Sequence, residues 1–296
     1  MHKGKLKIGY FADGPWSHKA FDKIVVNPNF DIRFIVPRIG SKDTTLEEYA
    51  KHYKIPYIKD VKINTDSFIE IARSFDCDLF VSMSFNQIFK ERLINLPPLK
   101  TINCHAGKLP YYRGRNVINW AIINNESEIG ITVHYVDEGI DTGDIIKQRL
   151  FPITIDDTYK TVLEIAYEEC SNILYDVLLD FQAGEIATIK QSEIHPVGFY
   201  CGARGIGDEI INWSESSLEI YNFIRAICLP GPMATTKRGN DVVKINTAKL
   251  VKESPVYKGI PGQVVGREKQ NYIVKTKDTV LEIESNIPLK IGDRLG

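Results

Sequence analysis

Short β-branched and aromatic runs alternate with stretches of helical periodicity through the first half of the chain. Leu6–Phe11, Asp31–Val36, Leu79–Phe85 and Lys100–Cys104 read as strands, with helices between them at His18–Val26, Thr45–His52, Asp66–Phe75 and Ile88–Leu93. This alternation predicts an α/β fold, a parallel sheet with helices on both faces. A long helix follows over Asp157–Ala183, where Val162, Ile165, Ala166, Cys170, Ile173, Leu174, Val177, Leu178 and Phe181 recur at helical spacing, with Asp157 as cap and Gly184 as stop. That stripe reads as core. Gln191–Gly207, rich in Gly, Tyr and Phe, reads as a connection. Another helix begins at Ile211-Asn212-Trp213-Ser214, with Ser214 as its cap, and ends at Pro230-Gly231-Pro232.

From Met233 the pattern changes to short strands broken by Gly, Asn and Asp: Val242–Ala248, Gly262–Val265, Asn271–Thr276, Val280–Ile283 and a final Ile291–Arg294. Five short strands at this spacing predict a small OB-like β-barrel. The chain then divides into residues 1–205, the α/β domain, and 206–296, a linker helix with the barrel.

Composition narrows the chemistry. With 296 residues, 43% of them hydrophobic, the chain can bury one large core and support a smaller second domain. A net charge of −1 gives no global reason to expect nucleic acid as a partner. Met233–Gly296 holds twelve Lys or Arg against seven Asp or Glu, but the signs are mixed and no stripe of aromatic and basic residues appears. The five cysteines are scattered without a metal-type pair, so reduced thiols, a cytoplasmic setting and no metal are expected. Met1–Ala12 has basic residues but too short an apolar stretch for a signal peptide, and no run is long enough to span a membrane. The glycines fit no dinucleotide fingerprint and no phosphate-loop lysine motif occurs, which excludes nicotinamide cofactors and ATP hydrolysis.

The most informative residues are Asn103-Cys104-His105, followed by Asp141 in Gly139-Ile140-Asp141-Thr142-Gly143-Asp144. In an extended chain Asn103 and His105 share a face while Cys104 points into the packing. Ligands of such sheets bind outside the carboxyl ends of the strands, where this pair would sit. An imidazole, whose unperturbed pKa is about 6.5, can take a proton from an attacking amine, and a carboxamide N–H can stabilise a tetrahedral oxyanion. A carboxylate at Asp141 would orient the imidazole. The set suits acyl transfer from an amide-like donor to an amine.

The run Asn103-x-His105-x-x-x-Leu109-Pro110-x-x-Arg113-Gly114, followed by Gly130-Ile131-Thr132 and the Asp141-Thr142-Gly143 turn, resembles the formyltransferases that use 10-formyltetrahydrofolate. The likeness is strongest over about residues 80 to 147 and continues more weakly from Lys5 to the C-terminus. It implies a Rossmann-like formyltransferase core over 1–205, an Asn103, His105 and Asp141 catalytic triad, and 10-formyltetrahydrofolate as donor. It also implies that the pterin binds after the fourth strand, at Phe85, Asn86, Gln87 and Ile88, with Asp137 closing the other side. A homodimer is compatible with the resemblance.

The acceptor is read from the residues after His105. Tyr112-Arg113-Gly114-Arg115 and Asn119-Trp120 are similar to the sugar-nucleotide N-formyltransferases, the aminoarabinose enzyme among them, although Asn116 departs from the small residue usual there. The Asn212-Trp213-Ser214 start and the Arg225-Ala226 to Pro230-Gly231-Pro232 ending of the linker helix resemble both methionyl-tRNA formyltransferase and the aminoarabinose enzyme, and the former stays as the alternative. The branch implies a nucleotide sugar as partner, a dTDP-linked 4-amino-4,6-dideoxyhexose for surface polysaccharide, held by Trp16, Tyr112, Arg113 and Arg115. The two arginines can offer planar donors to a pyrophosphate, or one can tie down its own loop. Trp16 can stack on a base or simply pack.

Overall fold

The computed structural model describes residues 4–296; Met1–Lys3, the basic start of the segment weighed as a signal peptide, lie outside the described residues. Along the chain run β1 (Leu6–Ala12), α1 (Gly14–Val25), β2 (Phe30–Val36), α2 (Thr45–Tyr53), α3 (Asp66–Ser74) and β3 (Leu79–Met83). Then come α4 (Glu91–Ile94), β4 (Thr101–His105), β5 (Arg113–Gly114), α5 (Val117–Ile123), β6 (Glu128–Tyr135) and β7 (Ile145–Pro152). The long α6 (Tyr159–Ala183), α7 (Gln191–Ile194), β8 (Tyr200–Cys201) and α8 (Ser217–Ile227) follow. Six strands complete the chain: β9 (Ala234–Arg238), β10 (Asp241–Ile245), β11 (Ala248–Leu250), β12 (Val264–Glu268), β13 (Asn271–Lys275) and β14 (Val280–Ile283).

Two compact units emerge from the packing. The first holds residues 1–114, 129–151 and 164–201; the second holds 115–128, 152–163 and 202–296.

The first unit is built on a six-stranded sheet in the order β2-β1-β3-β4-β6-β7. The four strands expected to be parallel are so: β1 pairs with β2 and β3, and β3 with β4. The sheet is not parallel throughout, because β6 runs antiparallel to β4 and sets His134 opposite Asn103 and Thr132 opposite His105. Each central strand is buried on both faces. On one face Phe11, Phe34 and Phe80 pack with Phe68, Ile69 and Ala72 of α3 and Leu93 and Ile94 of α4. Phe11 is the hub, with the rings of Phe34, Phe68, Phe80, Phe85 and Phe89 around it. Burying each such ring stabilises the fold by about 1.5–3 kcal/mol, and Phe85 and Phe89 thereby anchor the loop after β3. On the other face Tyr10 donates to the Ser17 carbonyl of α1 at 2.9 Å. Cys104 donates there to the Cys170 carbonyl of α6 at 3.5 Å. Of the predicted α6 stripe, Ala166, Cys170, Ile173, Leu174, Val177, Leu178 and Phe181 are buried in this unit and Val162 in the second, while Ile165 is only half-buried.

In the second unit the C-terminal β domain has six strands where five were expected. They form a β9–β10 hairpin and a four-stranded antiparallel sheet in the order β11-β14-β13-β12. Residues 291–294 add only an isolated bridge, Gln263 to Arg294. Trp213 is buried and donates to the Thr236 hydroxyl at 3.0 Å. The cap of α8 is Ser216, not Ser214: Ser216 accepts from the Glu219 N–H while Glu219 accepts from the Ser216 N–H, a reciprocal capping box. Asp157 likewise does not cap α6; its carboxylate takes the Thr154 N–H and the Thr161 hydroxyl, and the Thr161 N–H turns to Thr158. The helix expected at Ile88–Leu93 is a single turn at Glu91–Ile94, which leaves residues 84–90 as a loop.

Candidate active site

β4 ends at His105, at the carboxyl end of the parallel strands, with Asn103 and His105 on one face and Cys104 reversed into the packing. The β6–β7 turn delivers Asp141. Asp137 holds this turn, its carboxylate accepting the Gly139 N–H at 3.0 Å and the Thr142 hydroxyl at 2.5 Å. At Gly143 a Cβ would lie 1.9 Å from the Tyr135 carbonyl oxygen, so the return of the chain towards β7 needs glycine. Asp141 itself adopts a left-handed φ of 54°, a conformation that surrounding contacts must hold.

Those contacts converge on its carboxylate. One oxygen accepts the Gly114 N–H at 2.9 Å and faces His105 Nδ1 at 3.7 Å. The other faces His134 Nε2 at 3.5 Å and Asn103 Nδ2 at 3.4 Å. Burial works to raise the Asp141 pKa, but His105, His134 and the Gly114 N–H outweigh it and hold the carboxyl well below the ordinary carboxylate range.

The imidazoles are oriented by carbonyls. His105 Nε2 lies 2.7 Å from the Tyr112 carbonyl oxygen, which can only accept, so Nε2 carries a proton in this geometry. Gly107 makes this approach possible: a Cβ there would meet His105 Nε2 at 2.3 Å and the Tyr112 oxygen at 2.4 Å. His134 Nδ1 lies 2.7 Å from the Tyr135 carbonyl, and its Nε2 lies 3.2 Å from Asn103 Nδ2 and 3.5 Å from the Asp141 carboxylate. One Asn103 N–H therefore faces His134. The other has only the longer contact to Asp141, and it is the one free to turn to an oxyanion.

The sequence pattern does not single out His134 or Gln191. Thr132 and His134 are polar at alternate positions of β6 between buried Ile131 and Val133, and that is the signal for His134, but it points to the site only once β6 is known to pair with β4. Gln191 begins a one-turn helix in a segment read as a connection.

Of the residues named for the donor, Phe85–Ile88 follow β3 and Asp137 lies in the β6–β7 turn, and most of their side chains have local partners. Asn86 bonds both the N–H and the carbonyl of Ile39. Gln87 accepts the Ile63 N–H and donates to the Val61 carbonyl. Phe85 packs on Phe11, and Asp137 is engaged by its own turn. Ile88 is exposed.

Of the acceptor candidates in the first unit, Trp16 packs edge-on against Tyr167 at 4.6 Å. Tyr112 is buried, its ring edge-on to Phe199 at 4.8 Å. Arg113 is buried too; its guanidinium bonds the Gln191 side-chain oxygen twice and the Val197 carbonyl once, so it ties its own loop down. Arg115, which belongs to the second unit, is exposed. In the second unit Asn119 donates to the Ala226 carbonyl and Trp120 to the Gly202 carbonyl, so both members of the Asn-Trp pair have packing roles. Asn116 sits at a left-handed φ of 53°, which asparagine tolerates better than most residues. Among the described residues no group of three or more His, Cys, Asp or Glu is placed to hold a metal ion, and no helix is long and apolar enough to cross a membrane.

Comparison with known proteins agrees with this geometry. Residues 41–178 match the Formyl transferase family model, and residues 207–290 match the Formyl transferase, C-terminal domain model. Methionyl-tRNA formyltransferase of Clostridium acetobutylicum is 30% identical over 282 residues, covering 92% of this chain and 89% of that protein. The enzyme of the same name from Syntrophus aciditrophicus is 34% identical over 219 residues, 73% of this chain and 67% of its own. The chain therefore belongs to the formyltransferase family.

Two solved structures share its fold. One is WlaRD, a sugar 3N-formyl transferase determined with dTDP and 5-N-formyl-THF; the TM-score is 0.71 at 24% identity, over 97% of this chain and 100% of that one. The other is an N-formyltransferase from Helicobacter canadensis in complex with folinic acid and dTDP-3-aminofucose, with a TM-score of 0.69 at 22% identity over 95% and 99%.

Proposed function

We propose that this formyltransferase moves the formyl group of 10-formyltetrahydrofolate to the amine of a nucleotide-linked amino sugar, a dTDP-linked 4-amino-4,6-dideoxyhexose, in the cytoplasm. The acceptor nitrogen attacks the formyl carbon and pushes an electron pair onto the formyl oxygen, where the free Asn103 N–H stabilises it. His105, its Nε2–H held by the Tyr112 carbonyl, takes the proton from the attacking nitrogen on Nδ1, beside the Asp141 carboxylate that stabilises the resulting imidazolium. The oxyanion collapses, the bond from carbon to N10 breaks with return of a proton to that nitrogen, and the products are a formamide and tetrahydrofolate. The folates in the two solved relatives support the donor, and the loop at 84–90, with Ile88 exposed and its polar side chains anchored elsewhere, suits a ligand held by backbone groups.

The observation that carries the acceptor is the exposed Arg115 of the Tyr112-Arg113-Gly114-Arg115 run, a guanidinium with the chemistry to meet a pyrophosphate. Methionyl-tRNA is the second reading, favoured by the names of relatives 30–34% identical. An assay with 10-formyltetrahydrofolate and each acceptor in turn separates them. The expected result is formylation of the dTDP-linked amino sugar and none of methionyl-tRNA; the reverse pattern would refute the sugar reading.

A further inference from the structure

Arg113 and Gln191 form a buried pair directly behind Asp141. Gln191 is 3% exposed and Arg113 8%. The Gln191 side-chain oxygen accepts from Arg113 Nε at 3.0 Å and Nη2 at 2.7 Å. Its Nε2 donates to the carbonyls of Asp141 and Gly143, both at 2.8 Å. The third arm of the guanidinium reaches the Val197 carbonyl at 3.2 Å, and its face lies over the Tyr200 ring at 5.4 Å. The Arg113 N–H is held by the Phe199 carbonyl at 3.2 Å. All four polar valences of the Gln191 amide are thus filled, two by the arginine and two by the backbone on either side of Thr142.

Asp141 is therefore gripped twice from one dipeptide. Gly114 holds its carboxylate through the main chain, and Arg113 holds its backbone through Gln191. A non-glycine residue at a φ of 54° persists only where its neighbours over-determine it, and these two grips are the over-determining contacts.

We infer that Arg113 and Gln191 are positioning residues for the reaction: they fix the backbone of Asp141, and through it the carboxylate that faces His105. The inference rests on the formyl-transfer reading, so one of its tests needs no turnover. Gln191→Met keeps the length and burial of the side chain but removes both grips on the 141–143 carbonyls. Its kcat should fall by about 10²-fold, the loss typical of a small misplacement of a catalytic group, with KM for the folate unchanged. Arg113→Lys, which leaves Gln191 in place but removes the two-pronged contact, should show a smaller loss of the same kind, and the double variant little more than Gln191→Met alone. Independently, the Asp141 carboxyl followed by ¹³C NMR without substrates should titrate at higher pH in Gln191→Met than in the wild type, because it no longer faces the His105 and His134 imidazoles squarely. A lowered melting temperature with wild-type kcat and an unmoved Asp141 titration in both variants would make the pair a mere structural stitch and overturn the inference. If the wild type formylates no acceptor while the Asp141 titration still moves, the functional reading fails and the positioning inference stands.

Discussion

Asp141 is a half-buried carboxylate whose charge is favoured by two imidazoles and one amide N–H against the cost of burial. Its native pKa is depressed, so its contribution to stability is complete above the unfolded value of about 3.9 and is lost as pH falls through the native value. Between neutrality and mild acid Asp141 therefore stays ionised, and a fall in rate over that range does not come from its protonation. Asp141→Asn should lower turnover steeply while folate binding, measured by fluorescence or calorimetry, survives. Asn103→Ala should lower kcat by roughly 10²–10³, the loss expected for one oxyanion donor, with little change in melting temperature; near-wild-type turnover would remove Asn103 from the chemistry. Cys104, between Asn103 and His105 in sequence, faces α6, and Cys104→Ala should stay active at a packing cost of about 1 kcal/mol. The period of two along β4 makes this contrast legible in the amino-acid sequence itself. His134 and Gln191 were not legible in the same way: one needs the antiparallel pairing of β6, and the other meets Asp141 across 50 residues of chain.

At the scale of elements, the parallel strands β1 to β4 were legible because each lies in a short run of β-branched or aromatic residues bounded by helical pattern. α5 was not, since the seven residues Val117–Ile123 are almost wholly apolar and too short for periodicity to separate helix from strand. β9 escaped because its buried positions, Ala234 and Thr236, give no hydrophobic alternation. The start of α8 was readable and misread. Ser214 has serine three residues on, whereas Ser216 has Glu219, the spacing of a capping box. Beyond its cap, α8 buries Arg225, whose guanidinium bonds the Asn222 side chain and the carbonyls of Thr154 and Asp157, so this helix fixes the approach to α6 within the second unit. Ser216→Ala should then destabilise the protein by about 1 kcal/mol, read as a lower urea midpoint with unchanged slope. Ser214→Ala should change the midpoint far less.

For the molecule as a whole, charge is what separates the two acceptors. A tRNA neutralised by several Lys and Arg loses affinity steeply with salt, whereas a nucleotide sugar held by a few oriented contacts does not. The C-terminal β domain offers a polyanion less than its composition suggests. Lys275 is buried, its ammonium donating to the carbonyls of Thr276, Asp278 and Thr279 with the Tyr257 ring 4.4 Å away. Arg238 is engaged by Asp241 and Asp293. Formylation of the dTDP-linked sugar should accordingly proceed at nearly the same kcat/KM in about 50 mM and about 200 mM salt, the interval over which a protein with 6–10 phosphate contacts loses about 10³–10⁵ in affinity. If the proposed pyrophosphate contact holds, Arg115→Ala should raise KM for the nucleotide sugar and leave KM for the folate alone. A steep loss of rate over that salt interval, with methionyl-tRNA as the working acceptor, would overturn the sugar reading while leaving the fold and the arrangement around Asp141 as described.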